Sequence, residues 1–203
     1  MFKKITTLTI ISVLLFAGCK KDNTPNKLEP DSFSGRINAT VENDNECRSI
    51  VSTVMAVSEA SISNGNLYGV VHAEANYRNG GFSINLPSSV LNQYLMDIDD
   101  FFEGELRISG KPKYSEPDAR IMYVEFLTFD SSEYLTGCFL YSNPEQTTVA
   151  IFVYVDMDVT VTGGSNVSVS LIRGWNRLYW SADKVTTKAP KDMEWIFSDD
   201  LDM

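Results

Sequence analysis

One histidine, three cysteines, three tryptophans and a surplus of carboxylates are the residues of this chain with which chemistry could be done. His72 lies between Val71 and Ala73 in an alternating apolar pattern. A Ser-His-Asp triad would need it, but no G-x-S-x-G elbow is present, so His72 reads as an outer-face strand residue. One histidine and three scattered cysteines form no zinc pattern, and neither a P-loop nor G-x-G-x-x-G occurs. Glu125, alone on an apolar strand face, could pair with Asp156 or Asp158 as the two acids of a glycosidase. The plainer reading puts Glu125 at a sheet margin or beside Arg or Lys. The stretches "ENDNE" (42–46), "DIDD" (97–100) and "DMD" (156–158) carry the oxygen ligands that calcium takes, yet none follows the twelve-residue calcium loop. They read as acidic, solubilising loops. No catalytic residue, cofactor or metal is assigned.

Two constellations remain. In "RGWNRLYW" (173–180), Gly174 and Asn176 suit a tight turn. Trp175, Tyr179 and Trp180 could stack against the apolar face of a sugar, or Trp175 could close over a core. Alternation puts Leu178 and Trp180 on one side and Tyr179 on the other, so at least one aromatic of the trio should be exposed. Cys47 and Cys138 could form a disulfide or remain two buried thiols. A bridge closing a loop of roughly 90 residues would contribute up to ~4–5 kcal/mol in the chain-entropy account.

The elements that must position these groups are mostly strands. Period-two alternation marks 34–43, 50–58 and 67–77, the last placing Leu67, Gly69, Val71, Ala73, Ala75 and Tyr77 on one face. "SISNGN" and "RNGG" supply turns, and "FSINLP" is a short strand. Residues 89–102 place Val90, Leu91, Tyr94, Leu95, Ile98 and Phe102 at helical spacing and predict one short helix. Strands follow at 104–109, 120–129 and 136–141. Residues 120–129 are apolar on both faces, as in a central strand. The alternation over 149–161 is too long for one ordinary strand, so a bend is expected near Asp156. "TGGSN" closes a hairpin into "VSVSLI", and strands around 177–180 and 194–197 end the chain. Short connections exclude most parallel pairing. The expected fold is all-β: a mostly antiparallel two-sheet β-sandwich of about ten strands with one short helix, in a single domain over 32–203.

The first residues differ in kind. Lys3 and Lys4 precede the apolar run "ITTLTIISVLLFA", which is too short to span a bilayer and has the form of a signal peptide over 1–18. "LFAGC" resembles the lipobox of bacterial lipoproteins, which implies cleavage before Cys19 and acylation there. Several acyl chains hold a protein firmly to a membrane. "CKKDN" resembles the tags of surface-exported lipoproteins in Bacteroidota, and Lys20 after the cysteine implies the outer membrane. Residues 19–31, with two prolines and no aromatic, read as a flexible tether. Without residues 1–18 the chain keeps 15 Lys+Arg against 27 Asp+Glu. Such acidity gives no electrostatic basis for nucleic-acid binding and none for a second, charge-driven membrane contact.

The segment "SLIRGWNRLYW…TTKAPKDMEWIF" (170–197) resembles a pattern in uncharacterised Bacteroidota outer-membrane lipoproteins. "GGFSINLP" (80–87) resembles strands of transthyretin-like or carboxypeptidase-regulatory-like sandwiches. The resemblance implies a fold and a location and brings no activity. The expected function is that of a lipid-anchored, non-enzymatic binding or adhesion module for glycan or protein. The alternative is a structural or accessory subunit of a surface assembly, such as a nutrient-uptake complex or a pilus-like fibre.

Overall fold

The computed structural model describes residues 33–63, 66–164, 166–182 and 184–199. The expected signal segment 1–18, the expected lipidation site Cys19, the expected tether 19–31 and the turn expected at Asn64-Gly65 lie outside the described residues. From the N-terminal side the chain forms β1 (Arg36–Thr40), α1 (Asp44–Cys47), β2 (Thr53–Ser63), β3 (Asn66–Asn76) and β4 (Gly81–Asn85). A 3₁₀ turn (Asn92–Tyr94), β5 (Met96–Asp97) and a π-helical segment (Asp100–Glu105) follow, then β6 (Pro112–Tyr114), β7 (Arg120–Phe129) and β8 (Leu135–Ser142). The second half holds β9 (Thr148–Val155), β10 (Val159–Gly163), β11 (Val167–Leu171), β12 (Gly174–Ser181), β13 (Lys184–Thr186) and β14 (Glu194–Ser198).

These strands form two sheets. β1 and β4 pair alone, and the other twelve run in the order β3-β2-β7-β8-β9-β12-β13-β11-β10-β6, with β14 on β8 and β5 on β7. Among the described residues the strands pair antiparallel except for a single parallel register between Val167 and Val185, and an isolated parallel bridge joins Val41 to Trp195. The all-β, mostly antiparallel, open sandwich-like architecture is as expected. The strand count is not, because β5, β6 and β13 are two- or three-residue strands set by pairing rather than by their own pattern.

The helix expected over 89–102 is replaced by three pieces. β5 interrupts it, since Met96 pairs with Ile121 of β7 and the Arg120 guanidinium donates to the Leu95 carbonyl. The apolar spacing still marks burial: Leu95, Ile98 and Phe102 are core residues, joined by Phe101. The strand expected at 104–109 is instead the end of the π-helical segment, whose Leu106 N–H donates to the Phe101 carbonyl. The long run 149–161 does break at Asp156. Asp156 and Arg120 exchange hydrogen bonds, the carboxylate accepting from Arg120 N at 2.9 Å and Asp156 N donating to Arg120 O at 3.1 Å.

The central strands are covered on both faces. Met122, Val124 and Phe126 of β7, Phe152 and Tyr154 of β9, and Trp175 and Tyr179 of β12 join Ile37, Phe82, Ile84 and Trp195 in one cluster. The opposite faces give Ile121, Val153, Val155 and Leu178 to a second cluster, closed by Phe101, Phe102 and the valines of β10 and β11. The far end of the long sheet therefore folds back over its own middle.

Candidate functional site

Two concavities can be built from this frame. The first opens where β7 lacks a neighbour. β2 leaves β7 at Val57–Glu125, β5 joins it at Ile121, and between them Met122–Val124 has no strand partner on that side among the described residues. A cavity of about 90 Å³ sits there, lined by Ser58, Glu59, Tyr94, Met96, Glu105, Met122 and Tyr123. Two register shifts in β2–β3 aim side chains at it. Ala56 faces Ala73 while Val57 faces Val71, which leaves His72 as the extra residue of a bulge. The second shift, between Ser58 and Ser61, holds Glu59 at φ +54°.

The result is a polar cluster that strict alternation could not foresee. Ser58 Oγ and His72 Nε2 are 2.7 Å apart, and His72 meets Tyr94 edge-on. Tyr123 donates its hydroxyl to Glu105 at 3.2 Å. Burial lowers the His72 pKa, opposed by the charge of Glu59. Burial raises that of Glu125, helped by Glu105. His72 is thus a half-buried, hydrogen-bonded residue and not the plain outer-face residue expected. The Ser–His distance is that of a nucleophile–base pair, but Ser58 is 2 % exposed and the cavity has room only for small molecules such as water. Bulges also correct the face assigned in β3: Ala73, Ala75 and Tyr77 turn to the core while Val71 is half-exposed.

The second concavity is larger, about 320 Å³, and lies at the far end of β12. The ladder builds its floor. Thr148, Ser181 and Lys184 stand opposite one another across β9, β12 and β13, and Ala150, Tyr179 and Thr186 form the next row on the same face. Residues Lys188, Ala189, Pro190 and Lys191 of the following loop form the wall. Lys184, Lys188 and Lys191 line the cleft, and among the described residues no Asp or Glu does so. Among the described residues none of the three makes an ion pair. Behind Tyr179 stands a fourth cation. Arg177 donates to the Tyr179 hydroxyl at 3.3 Å and lies 5.0–5.3 Å over the rings of Phe33, Tyr141 and Phe152. Its buried Nε has no hydrogen-bond partner among the described residues.

Trp175, Tyr179 and Trp180 do not form one platform. Trp175 is 5 % exposed, donates Nε1 to the Pro87 carbonyl at 2.7 Å and packs edge-on against Tyr154. Tyr179 is a core residue that also lines the cleft, and Trp180, 37 % exposed, points to the opposite face. Both faces of β12 are covered, so alternation separates Trp180 from the other two. Cys47 and Cys138 are not bridged. They occupy different clusters, and the Cys47 thiol donates to the Tyr77 hydroxyl, which donates in turn to Asp44 at 2.8 Å. Burial pushes the Cys47 thiol pKa up.

The candidate acids are also separated. Asp156 lies beside Arg120 at one end of β7, whereas Glu125 is five residues along the strand, about 16 Å away at the usual rise. That exceeds the carboxyl spacing of glycosidases, about 5–9.5 Å. Asp158 accepts from Arg173 N at 2.7 Å. In "ENDNE", Asn43 exchanges two hydrogen bonds with the Phe197 backbone, like an added strand residue. Asp97, Asp99 and Asp100 converge within 4.8 Å, all exposed. Asp97 also reaches Arg120, at 3.8 Å.

The cleft lysines were missed in the sequence, although K-x₃-K-x₂-K (184–191) in so acidic a chain, next to the aromatic strand, was a readable signal. Comparison of the chain with family models, curated proteins and solved structures gives no match.

Proposed function

We propose that this chain is a lipid-anchored binding module of the outer membrane, related to Bacteroidota envelope lipoproteins, and that it holds a glycan or protein without changing it chemically. The observation that carries the reading is the cleft of about 320 Å³ at the end of β12, whose size is that of a small-ligand site. Its lining offers hydroxyls and ammonium groups that can orient a ligand but no nucleophile with an adjacent base. The signal pattern and Cys19 support the anchor. The test fills the cleft: Ala189→Trp, at an exposed wall position, should abolish binding of the full chain to whatever a glycan and envelope-protein panel detects. Unchanged binding would move the site elsewhere. For the anchor, Cys19→Ala should release the protein from membranes, and antibody should label intact cells carrying the unaltered chain.

One observation favours an accessory subunit of a surface assembly instead. β3 pairs only with β2 among the described residues and exposes Tyr68 and Val71, 57 % and 50 %. An open edge of this kind can accept a further strand. Crosslinking through residues of β3 in cells should then capture an envelope partner.

A further inference from the structure

We infer that the β12–β13 cleft takes an anionic oligosaccharide, one whose sugars carry carboxylate or sulfate groups. This rests on the reading of the cleft as the binding site. Five of the ten lysines lie from Lys111 onward, and three of these five, Lys184, Lys188 and Lys191, surround one concavity. A chain of net charge −10 repels anions over most of its surface. Three ammonium groups without an acidic partner among the described residues reverse that potential locally. Their reach is about one Debye length, roughly 8–10 Å at moderate salt, which suits charges spaced along a short oligosaccharide.

Arg177 strengthens the same end of the sheet. Its guanidinium is held by three aromatic rings, makes no ion pair among the described residues, and donates to the hydroxyl of Tyr179, a residue of the cleft lining. The rest of the floor is hydroxyl-bearing: Thr148, Ser181 and Thr186. Hydroxyls exchange hydrogen bonds with sugar hydroxyls, and lysines bind carboxylate or sulfate as point charges. A peptide entering as an added strand would find no open edge. β12 is paired to β9 and β13, and β13 to β12 and β11.

The test measures calorimetric binding of the detergent-solubilised full chain to an oligogalacturonate hexamer, a heparin-derived hexasaccharide and neutral maltohexaose. One or both charged probes should bind, and the stronger of the two identifies the acid group. Affinity should fall with salt, with a log–log slope of at most about three, one per lysine. The combined variant Lys184→Gln, Lys188→Gln, Lys191→Gln should weaken binding about tenfold or more with an unchanged circular dichroism spectrum. All three residues are exposed, so the fold does not depend on them. Maltohexaose bound equally well and without salt dependence would overturn the anionic class and leave the cleft as the site. A polyglutamate decapeptide bound more tightly than either charged sugar would overturn the glycan class. Binding of charged probes that survives the triple variant, or no binding of them at all, would overturn the proposal. The Ala189→Trp panel reports separately whether the cleft binds anything.

Discussion

Asn176 replaces a strand neighbour at the corner between β11 and β12. Its side chain, 2 % exposed, accepts from Ile172 N and donates to the carbonyls of Ile172 and Gly174, at 2.7–3.0 Å. Leaving a buried backbone group unpaired costs about 1–3 kcal/mol. Asn176→Ala should therefore lower unfolding stability by about 2 kcal/mol or more in urea titration, and a neutral result would mean that water replaces the side chain. At the other concavity the residue-scale effect is pH-dependent. His72 is held below its ordinary value of 6.5, so near and below that value the unfolded chain binds a proton that the folded chain resists. Its contribution is full above about pH 6.5 and falls as pH drops. Glu125, raised above 4.5, acts oppositely: the folded chain keeps a proton that the unfolded chain has lost, and its contribution shrinks as pH rises from there. His72→Gln isolates the first effect. Between pH 7.5 and 5.5 the unaltered chain should lose urea stability relative to the variant. An equal difference at both values would mean that His72 titrates alike in both states.

At the scale of elements, packing decided what pattern alone could not. The central strand 120–129, the Asn79-Gly80 turn and the break at Asp156 were legible because each follows from local chemistry. Residues apolar on both faces demand two covers, Asn79 and Gly80 both sit at positive φ, and the facing side chains change from Tyr154 to Asp156. The helix over 89–102 was misread because β7 had an open edge for Met96 to pair with, and a pattern of burial does not reveal that edge. His72 and Ser58 were invisible as a pair because a bulge changes the phase of β3, and nothing in "GVVHAEAN" announces one. The lysine cleft was half legible: its charges are in the sequence, but the rows that gather them arise only from the β9–β12–β13 register. The β1–β4 pair makes a direct test of close approach. A Cβ at Gly81 would stand 2.1 Å from the Ala39 carbonyl oxygen, whereas one at Gly104 meets nothing within 4 Å. Gly81→Ala should cost at least about 1–3 kcal/mol and lower the melting temperature, while Gly104→Ala stays within ~1 kcal/mol. Equal melting temperatures for the two would contradict the β1–β4 register.

For the whole molecule, the question is whether clusters on opposite faces of one sheet unfold as one. β7 supplies side chains to all three: Phe126 to the first, Ile121 to the second, and Leu127 and Phe129 to the third. The three clusters are coupled through β7, because the same backbone carries a face of each. Two-state unfolding is the expected consequence. The two thiols report on it from different clusters, Cys47 from the first and Cys138 from the third, at 0 % and 1 % exposure. In a Cys19→Ala chain without reductant, both should resist a thiol reagent in buffer. They should become reactive together across one urea transition that coincides with the loss of tryptophan fluorescence. A bridged pair would never react without reductant. Reaction of Cys138 at lower urea than Cys47 would show that the β7–β8 end melts first, and the sheet would then be two cooperative units joined by β7 instead of one.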